Sequence, residues 1–308
     1  MTDPLPPTHL PRLPFLPFTD PRMTRGPGVQ PLDPADWLMR DATFAAQMAE
    51  RDRLIAERPG EVMALLPGAE AAAAELVALL LDALAADPGY RIGPDRVTRP
   101  DGVTIPRGGD PLVVAGRLVQ EDLLLLDRPE GLAEHRLAGG VLCFPARWTL
   151  AQKMDRGLLR IHRPVTFYAQ ALGARVQRLF DAIRPGRPLW RANWVIHNDP
   201  ALFQPAREED PGRRDVRAAR LWLRVERQTL MRLPRSGAVV FGIRTLCAPL
   251  DGLTAAELDA MRAALEALPP EEYRLKGGDA LRARLIAMAG QRSRFSPAPP
   301  SASPRTSS

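Results

Sequence analysis

The stretch Arg224-Val-Glu-Arg-Gln-Thr-Leu230 decides how this chain is read. It sits in an otherwise apolar run, Arg220 to Leu230, that reads as a β-strand. Strand alternation sends Arg224, Glu226 and Gln228 to one face and Val225, Arg227 and Thr229 to the other. An acid, two guanidiniums and an amide are unusual in mid-strand if a sheet face is core. Two readings are open. One is a solvated face laced with ion pairs. The other is a pocket wall, where a carboxylate holds a cationic substrate and an arginine holds an anion such as a propionate. Arg191 and Asn193 one strand earlier, and Arg244 one strand later, are expected to complete the same surface.

Further strands lie on both sides. Trp190 to His197 precedes, and Ala238 to Thr245 follows the turn Pro234-Arg-Ser-Gly237. Upstream, Val119 to Asp127 and Val141 to Phe144 read as a hairpin, separated by Pro129-Glu-Gly131 and Gly139-Gly140. Val165 to Ile183 between the two groups has helical periodicity. Thr254-Ala-Ala-Glu257 is a capping box opening a helix to about Leu268, and a last helix is expected over Asp279 to Met288. Residues 35–87 read as helical, opened by the cap Asp33-Pro34 and broken at Pro59-Gly60. Residues 90–110 read as loop. The order predicts an α+β fold: an antiparallel sheet with an added helical N-terminal region and C-terminal helices, not a doubly wound sheet.

Three segments follow from this order. Residues 1–34 are a proline-rich extended arm, expected to pack through Leu13-Pro-Phe-Leu-Pro-Phe18. Residues 35–290 are one domain, with a helical extension over 35–110 and a sheet core at about 115–250. Residues 291–308 are a Ser/Pro/Arg-rich disordered tail.

The 308 residues carry a formal charge of +6, with 42 basic and 36 acidic side chains. Only Lys153 and Lys276 are lysines; the remaining 40 basic residues are arginine. The acids are interleaved throughout. No basic stripe with stacking aromatics exists, which argues against nucleic-acid binding. The N-terminus lacks the basic and apolar regions of a signal peptide, and the most apolar stretch, Ala71 to Ala86, is too short to span a bilayer. A cytoplasmic protein without a membrane partner is expected. Cys143 and Cys247, both in apolar strand contexts, cannot supply a disulfide framework or a four-thiolate site and read as core.

No dinucleotide, phosphate-loop, zinc-protease or nucleophile-elbow motif is present. Of four histidines, His9 in the arm and His135 in a hairpin turn are expected to be solvated. His162 opens the middle helix and His197 ends a strand. Two histidines make a poor zinc site, but a single imidazole beside an apolar pocket suits a haem iron. A local hydrogen-bonding role is the plain alternative for each.

The string Arg224-Val-Glu-Arg-Gln-Thr-Leu-Met-Arg-Leu-Pro234, with Ser236-Gly-Ala-Val-Val-Phe241 and Ile243-Arg-Thr245, resembles the haem-dependent oxidative N-demethylase alpha-subunit-like family. Leu13 to Phe18, Trp37 with Asp41, Gln120-Glu-Asp122, Cys143-Phe-Pro145 with Trp148, Ile161-His162 with Pro164-Val165, Arg191 with Asn193-Trp194, and Pro249-Leu250 agree in order. The resemblance covers about residues 13–285.

It implies a haem-binding PAS-like domain that works as an enzyme. Such a subunit binds haem b and oxidises dimethylamine with O2 to methylamine and formaldehyde. Electrons come from NADPH through partner reductase subunits carrying flavin mononucleotide (FMN), a 2Fe-2S cluster and tetrahydrofolate. His162 matches the histidine of the family's His-x-Pro-Val-Pro motif, which makes it the expected proximal ligand, with His197 the alternative. Arg224, Glu226, Arg227 and Gln228 match the family's central strand. They are expected around the distal pocket or the propionates, with Glu226 beside the amine; Arg191 and Arg244 are cofactor-binding candidates. The chain departs from the family pattern at Thr166 and Leu246, where proline and tyrosine are usual. If that tyrosine lines the pocket, the substrate here differs. A non-catalytic haem or small-ligand PAS-like sensor is the alternative reading.

Overall fold

The computed structural model describes residues 4–24, 28–161, 173–207 and 215–295. Its strands are β1 Gln30–Pro31, β2 Met63–Leu65, β3 Arg91–Ile92, β4 Arg96–Thr98, β5 Thr104–Pro106, β6 Asp122–Asp127, β7 Arg136–Val141, β8 Leu189–His197, β9 Trp222–Arg232 and β10 Val239–Pro249. The helices used below are α1 Phe44–Glu57, α2 Glu70–Leu84, α3 Pro111–Leu118, α4 Gly173–Ala182, α5 Ala255–Glu266 and α6 Gly278–Phe295.

Seven strands form one antiparallel sheet in the order β1-β8-β9-β10-β6-β7-β2. The hairpin β6–β7 joins the meander β8–β9–β10 through the β6–β10 pair, so the first and last parts of the sheet meet at its centre. The fold is α+β, as the element order predicts.

The two faces of the sheet are covered differently. One carries Val225, Leu246, Leu123 and Leu125. It packs on the N-terminal helices through Met48, Leu54, Leu76 and Leu112, and on α5 and α6 through Leu258, Met261 and Leu285. The other carries Leu124, Leu230 and Ile243 and packs on α4 through Val176 and Phe180. We call this second side the crossover face, because the chain covers it on its way from β7 to β8. In the arm, Leu10, Leu13 and Phe18 are buried in the core beneath α5 and α6. Leu10 N–H donates to Cys247 O at 2.8 Å, on the part of β10 that lies beyond its pairing with β6.

Three boundaries differ from expectation. Residues 90–110 are not loop throughout: β3, β4 and β5 form a small sheet. It is anchored by Arg99, whose fully buried guanidinium pairs with Asp52 and Asp101 and donates to Arg117 O. Strands of two or three residues carry too short a pattern to read. The hairpin's second strand runs through Gly139-Gly140 instead of starting after it. A Cβ at Gly140 would stand 2.5 Å from Leu123 O, and one at Gly139 2.5 Å from Leu65 Cδ1. Here glycine marks close strand approach, not a turn. The last helix continues to Phe295, past the expected start of the tail; residues 296–308 lie outside the described residues. The capping box at Thr254 and Glu257 forms as read.

Candidate functional site

Strand register decides which polar side chains share a surface. Glu226 lies opposite Asn193 on β8 and Thr245 on β10; Gln228 lies opposite Arg191. Arg191, Asn193, Arg224, Glu226, Gln228 and Thr245 therefore belong to the crossover face. Arg244 lies opposite Arg227, on the other face. The expectation that Arg244 completes the Glu226 surface is corrected: β9 and β10 pair one residue out of step with that reading.

Arg227 and Arg244 act together on the far face. Arg227 donates to Trp37 O at 3.0 Å and to Asp36 O. Arg244 donates to Met39 O at 2.9 Å and Gln47 Oε1 at 2.7 Å, and pairs with Asp41. Burial lowers the pKa of both, and it raises that of buried Glu121, which accepts from Met39 N–H. These side chains pin residues 36–47 to the sheet. A propionate would have to displace backbone carbonyls to reach them.

Arg224 is also a tie. Its guanidinium is 1% exposed and donates to Leu202 O at 3.1 Å, to Phe144 O, and to Thr245 Oγ1 at 3.3 Å. Its Nε lies 3.5 Å from Glu226 Oε1. The two segments it joins wall a cleft of about 690 Å³ lined by Leu142, Pro145, Trp148, Leu150 and Phe203. Gln228 Nε2 donates to Glu226 Oε2 at 3.2 Å. The Glu226 carboxylate, 9% exposed, is thus held at each oxygen by a different neighbour. Arg191 and Asn193 are half-buried beside it, and Lys276 Nζ donates to Asn193 Oδ1 at 3.1 Å.

The histidines redistribute. His162 lies outside the described residues, as does Thr166. His197 ends β8 on the crossover face and is 4% exposed. His9 and His135 are not solvated. His135 is 2% exposed, bonded to Gln177 at 3.0 Å and packed against Phe180. His9 is 4% exposed, with its ring 4.7 Å from that of Trp222 and Nδ1 3.0 Å from Thr8 Oγ1. Both are buried by segments distant in sequence, which local polarity cannot reveal.

Burial, helped by the charges of Arg224 and Arg220, pushes His9 down from 6.5 to about 4. An unfolded imidazole takes up a proton as pH falls through about 6.5, and the buried one does not. Stability must therefore fall between about pH 6.5 and 4, and be unaffected by His9 above that window. The melting temperature of His9→Leu should fall less steeply over this range than that of the wild type. Equal slopes would contradict the burial argument.

Burial pushes the Cys143 thiol up to about 12 and that of Cys247 to about 11, so neither is a ready nucleophile or thiolate ligand. Leu246 is 1% exposed and packed in the core on the face opposite Glu226. Its departure from the family's tyrosine therefore does not bear on the Glu226 surface. Among the described residues no cluster of three metal-ligating side chains occurs, and no helix is long and apolar enough to cross a membrane.

Residues 28–286 match the family model described as haem-dependent oxidative N-demethylase, alpha subunit-like. The chain belongs to this family. The match spans the whole sheet, both candidate faces and most of the C-terminal helical layer. A haem-dependent N-demethylase alpha-subunit-like chain needs an apolar surface for a macrocycle, a cation for its propionates and an axial donor. The cleft at Leu142, Pro145, Trp148, Leu150 and Phe203 offers the first, and half-buried Arg191 on the crossover face is a candidate for the second. Burial leaves neither Cys143 nor Cys247 a ready axial donor. On the first two counts the residues present fit the group.

Proposed function

We propose that the chain is the haem-bearing catalytic subunit of an oxidative N-demethylase acting on a small secondary amine such as dimethylamine. The overall change is amine, O2, two electrons and two protons to primary amine, formaldehyde and water. The electrons come from a partner reductase using NADPH, FMN and a 2Fe-2S centre, with tetrahydrofolate on a partner subunit. Bound haem b supplies oxygen activation. His162 is the proposed axial ligand, with His197 as the alternative. The hairpin, crossover and three-stranded meander on one sheet support the PAS-like reading.

Glu226 carries the proposal. A secondary amine is cationic at neutral pH and unreactive towards oxidation until it loses its proton. A largely buried carboxylate, held by Arg224 on one oxygen and Gln228 on the other, offers a fixed counter-charge for the ammonium. The same carboxylate can take the amine proton. Of its neighbours, Arg191 would hold a propionate by charge and Asn193 would assist by hydrogen bonding.

Glu226→Gln keeps the shape and removes the charge. We expect formaldehyde release from dimethylamine with a competent reductase to fall about 10²-fold or more, with haem content unchanged. Wild-type protein that holds haem but yields no formaldehyde from any small N-methylamine would overturn the enzyme reading and leave a sensor. Full activity in Glu226→Gln would move the amine elsewhere.

A further inference from the structure

Acids accompany the arginines along most of the chain, but they thin out in the crossover between β7 and β8. Residues 142–188 hold nine basic and two acidic side chains, against 33 and 34 in the rest of the chain. The whole positive excess therefore lies in the segment that covers the face of Glu226.

Pairing is equally uneven. On α1, Arg53 is flanked by Glu50 and Glu57, and on α5 Arg262 is flanked by Asp259 and Glu266, at the helical spacings that relieve a surface charge. On α4, exposed Arg175 and Arg178 stand one turn apart, and the helix's one acid, Asp181, is taken by Arg128 at 2.9 Å. Past the helix, exposed Arg184 and Arg187 are brought side by side by the turn Pro185-Gly186, where Arg187 N–H donates to Arg184 O at 3.2 Å. None of these four guanidiniums makes a hydrogen bond or ion pair, nor do those of Arg147 and Arg156. Outside the crossover only Arg91 and Arg217 share that condition among the described side chains.

The folded chain gains nothing from this crowding, because like charges a turn apart repel and cost stability. The cations stand on a firm base. Val176, Phe180 and Ile183 are buried beneath them, and Arg232 on β9 donates to Phe180 O and Ile183 O. That base packs on Leu230, four residues along β9 from Glu226 and on the same face, about 13 Å away at the usual rise of a strand. The short helix Leu158–Ile161 lies against α4 and presents Leu159, 43% exposed, as an apolar contact.

We propose that the outer face of α4, with the turn at Arg184 to Arg187, docks the acidic face of the protein that delivers electrons to the site. Carboxylates on the partner steer the encounter and relieve the repulsion among the arginines. A protein seated there lies beside the Glu226 surface. Nucleic acid fits less well, because among the described residues of the crossover no exposed aromatic ring stands ready to stack on a base. That the occupant is an electron donor rests on the function proposed above.

The test uses the full-length chain and, as probe, a plant-type 2Fe-2S ferredoxin, a small protein with an acidic surface. Each encounter moves one electron from the reduced cluster to the ferric haem, so two encounters supply the proposed reaction. The patch variants are the doubles Arg175→Gln, Arg178→Gln and Arg184→Gln, Arg187→Gln. The control is Arg91→Gln, Arg217→Gln, which removes the same charge elsewhere. All six side chains are exposed and unpaired, so every variant should keep the wild-type melting temperature. Readouts are binding of oxidised ferredoxin at low and high salt, and the rate at which reduced ferredoxin reduces the haem. Wild-type affinity should fall at least about 10-fold from low to high salt. At low salt each patch variant should bind and be reduced at least about 5-fold more weakly and slowly, while the control stays within about 2-fold. Reduction by a small photoreduced deazaflavin should be unchanged throughout. A wild type without salt-dependent association, or a control that falls as far as the patch variants, would overturn the inference. So would retention by duplex DNA or phosphatidylglycerol vesicles at physiological salt that the patch variants lose, since the surface would then have another occupant. A chain that takes up no haem yet binds ferredoxin through these arginines would instead overturn the haem reading and keep the docking surface.

Discussion

His162→Ala is expected to purify without haem and to show no Soret band after reconstitution with haemin. Iron held in a protein needs a strong axial donor, and the alternatives in the described residues are committed. The two thiols are buried and pushed up to about 12 and 11. His135 is bonded to Gln177 and packed on Phe180. His9 is buried against Trp222 and pushed down to about 4 by burial and by two arginines. A neutral imidazole is a competent ligand, but leaving that place would unpack the arm from the sheet. His197 ends β8 with its ring buried, which makes it the competing histidine among the described residues. The corresponding His197→Ala should keep its Soret band. Added imidazole should restore haem binding to His162→Ala if the cavity survives and only the donor is lost. An unchanged Soret band in His162→Ala, with loss in His197→Ala, would exchange the two roles.

The largest effect on stability is expected at Asp122, which begins β6. Its carboxylate and the guanidinium of Arg51 in α1 are both fully buried and meet at 2.6 Å. The same carboxylate accepts from Cys143 N–H at 2.7 Å and Phe144 N–H at 2.9 Å, tying the chain after β7 to the start of β6. Arg51 also donates to Gly116 O at 2.9 Å, joining α1, α3 and the sheet at one point. Asp122→Ala leaves a buried guanidinium without its counter-charge and two buried amides without acceptors. The expected loss is about 3–5 kcal/mol, as for other buried pairs broken on one side. Asp122→Asn keeps an acceptor and should lose less. The double variant Arg51→Met, Asp122→Leu should recover much of the loss, since removing both charges also removes the desolvation cost. Urea unfolding followed by circular dichroism measures all three. A loss under about 1 kcal/mol in Asp122→Ala would mean that water reaches the pair.

Much of this fold is legible in the residues because its signals are local. The polar central strand, the turn at Pro234 to Gly237 and the capping box at Thr254 each depend on neighbours a few positions away. The family resemblance rests on the same local strings, and the match over residues 28–286 agrees with it. Local reading failed where burial is imposed from a distance. His9 looks solvated beside its prolines, yet the arm is drawn under the sheet's end. Gly139-Gly140 looks like a turn, yet it is the place where three strands come closest.

The candidate site shows the same division. Period-two alternation alone separates Arg224, Glu226 and Gln228 from Arg227, because the pleat sets it without reference to any other strand. No property of β10 by itself says that Arg244 faces Arg227 instead of Glu226. Pairing register decides that, and one step of register turns every side chain over. Sequence likewise shows that arginines crowd the central strand, but not that their guanidiniums are spent. Only the packed structure brings Phe144 O and Leu202 O to Arg224, and Asp36 O and Trp37 O to Arg227. A buried carbonyl must find a donor, and these arginines supply it. Glu226, held between Arg224 and Gln228 on the crossover face, is the carboxylate proposed for the ligand. The sequence determined the longer elements, the α+β class and the family; the tertiary structure decided the short strands and which of its charges hold the chain together, because burial and register are properties of strands and helices already assembled.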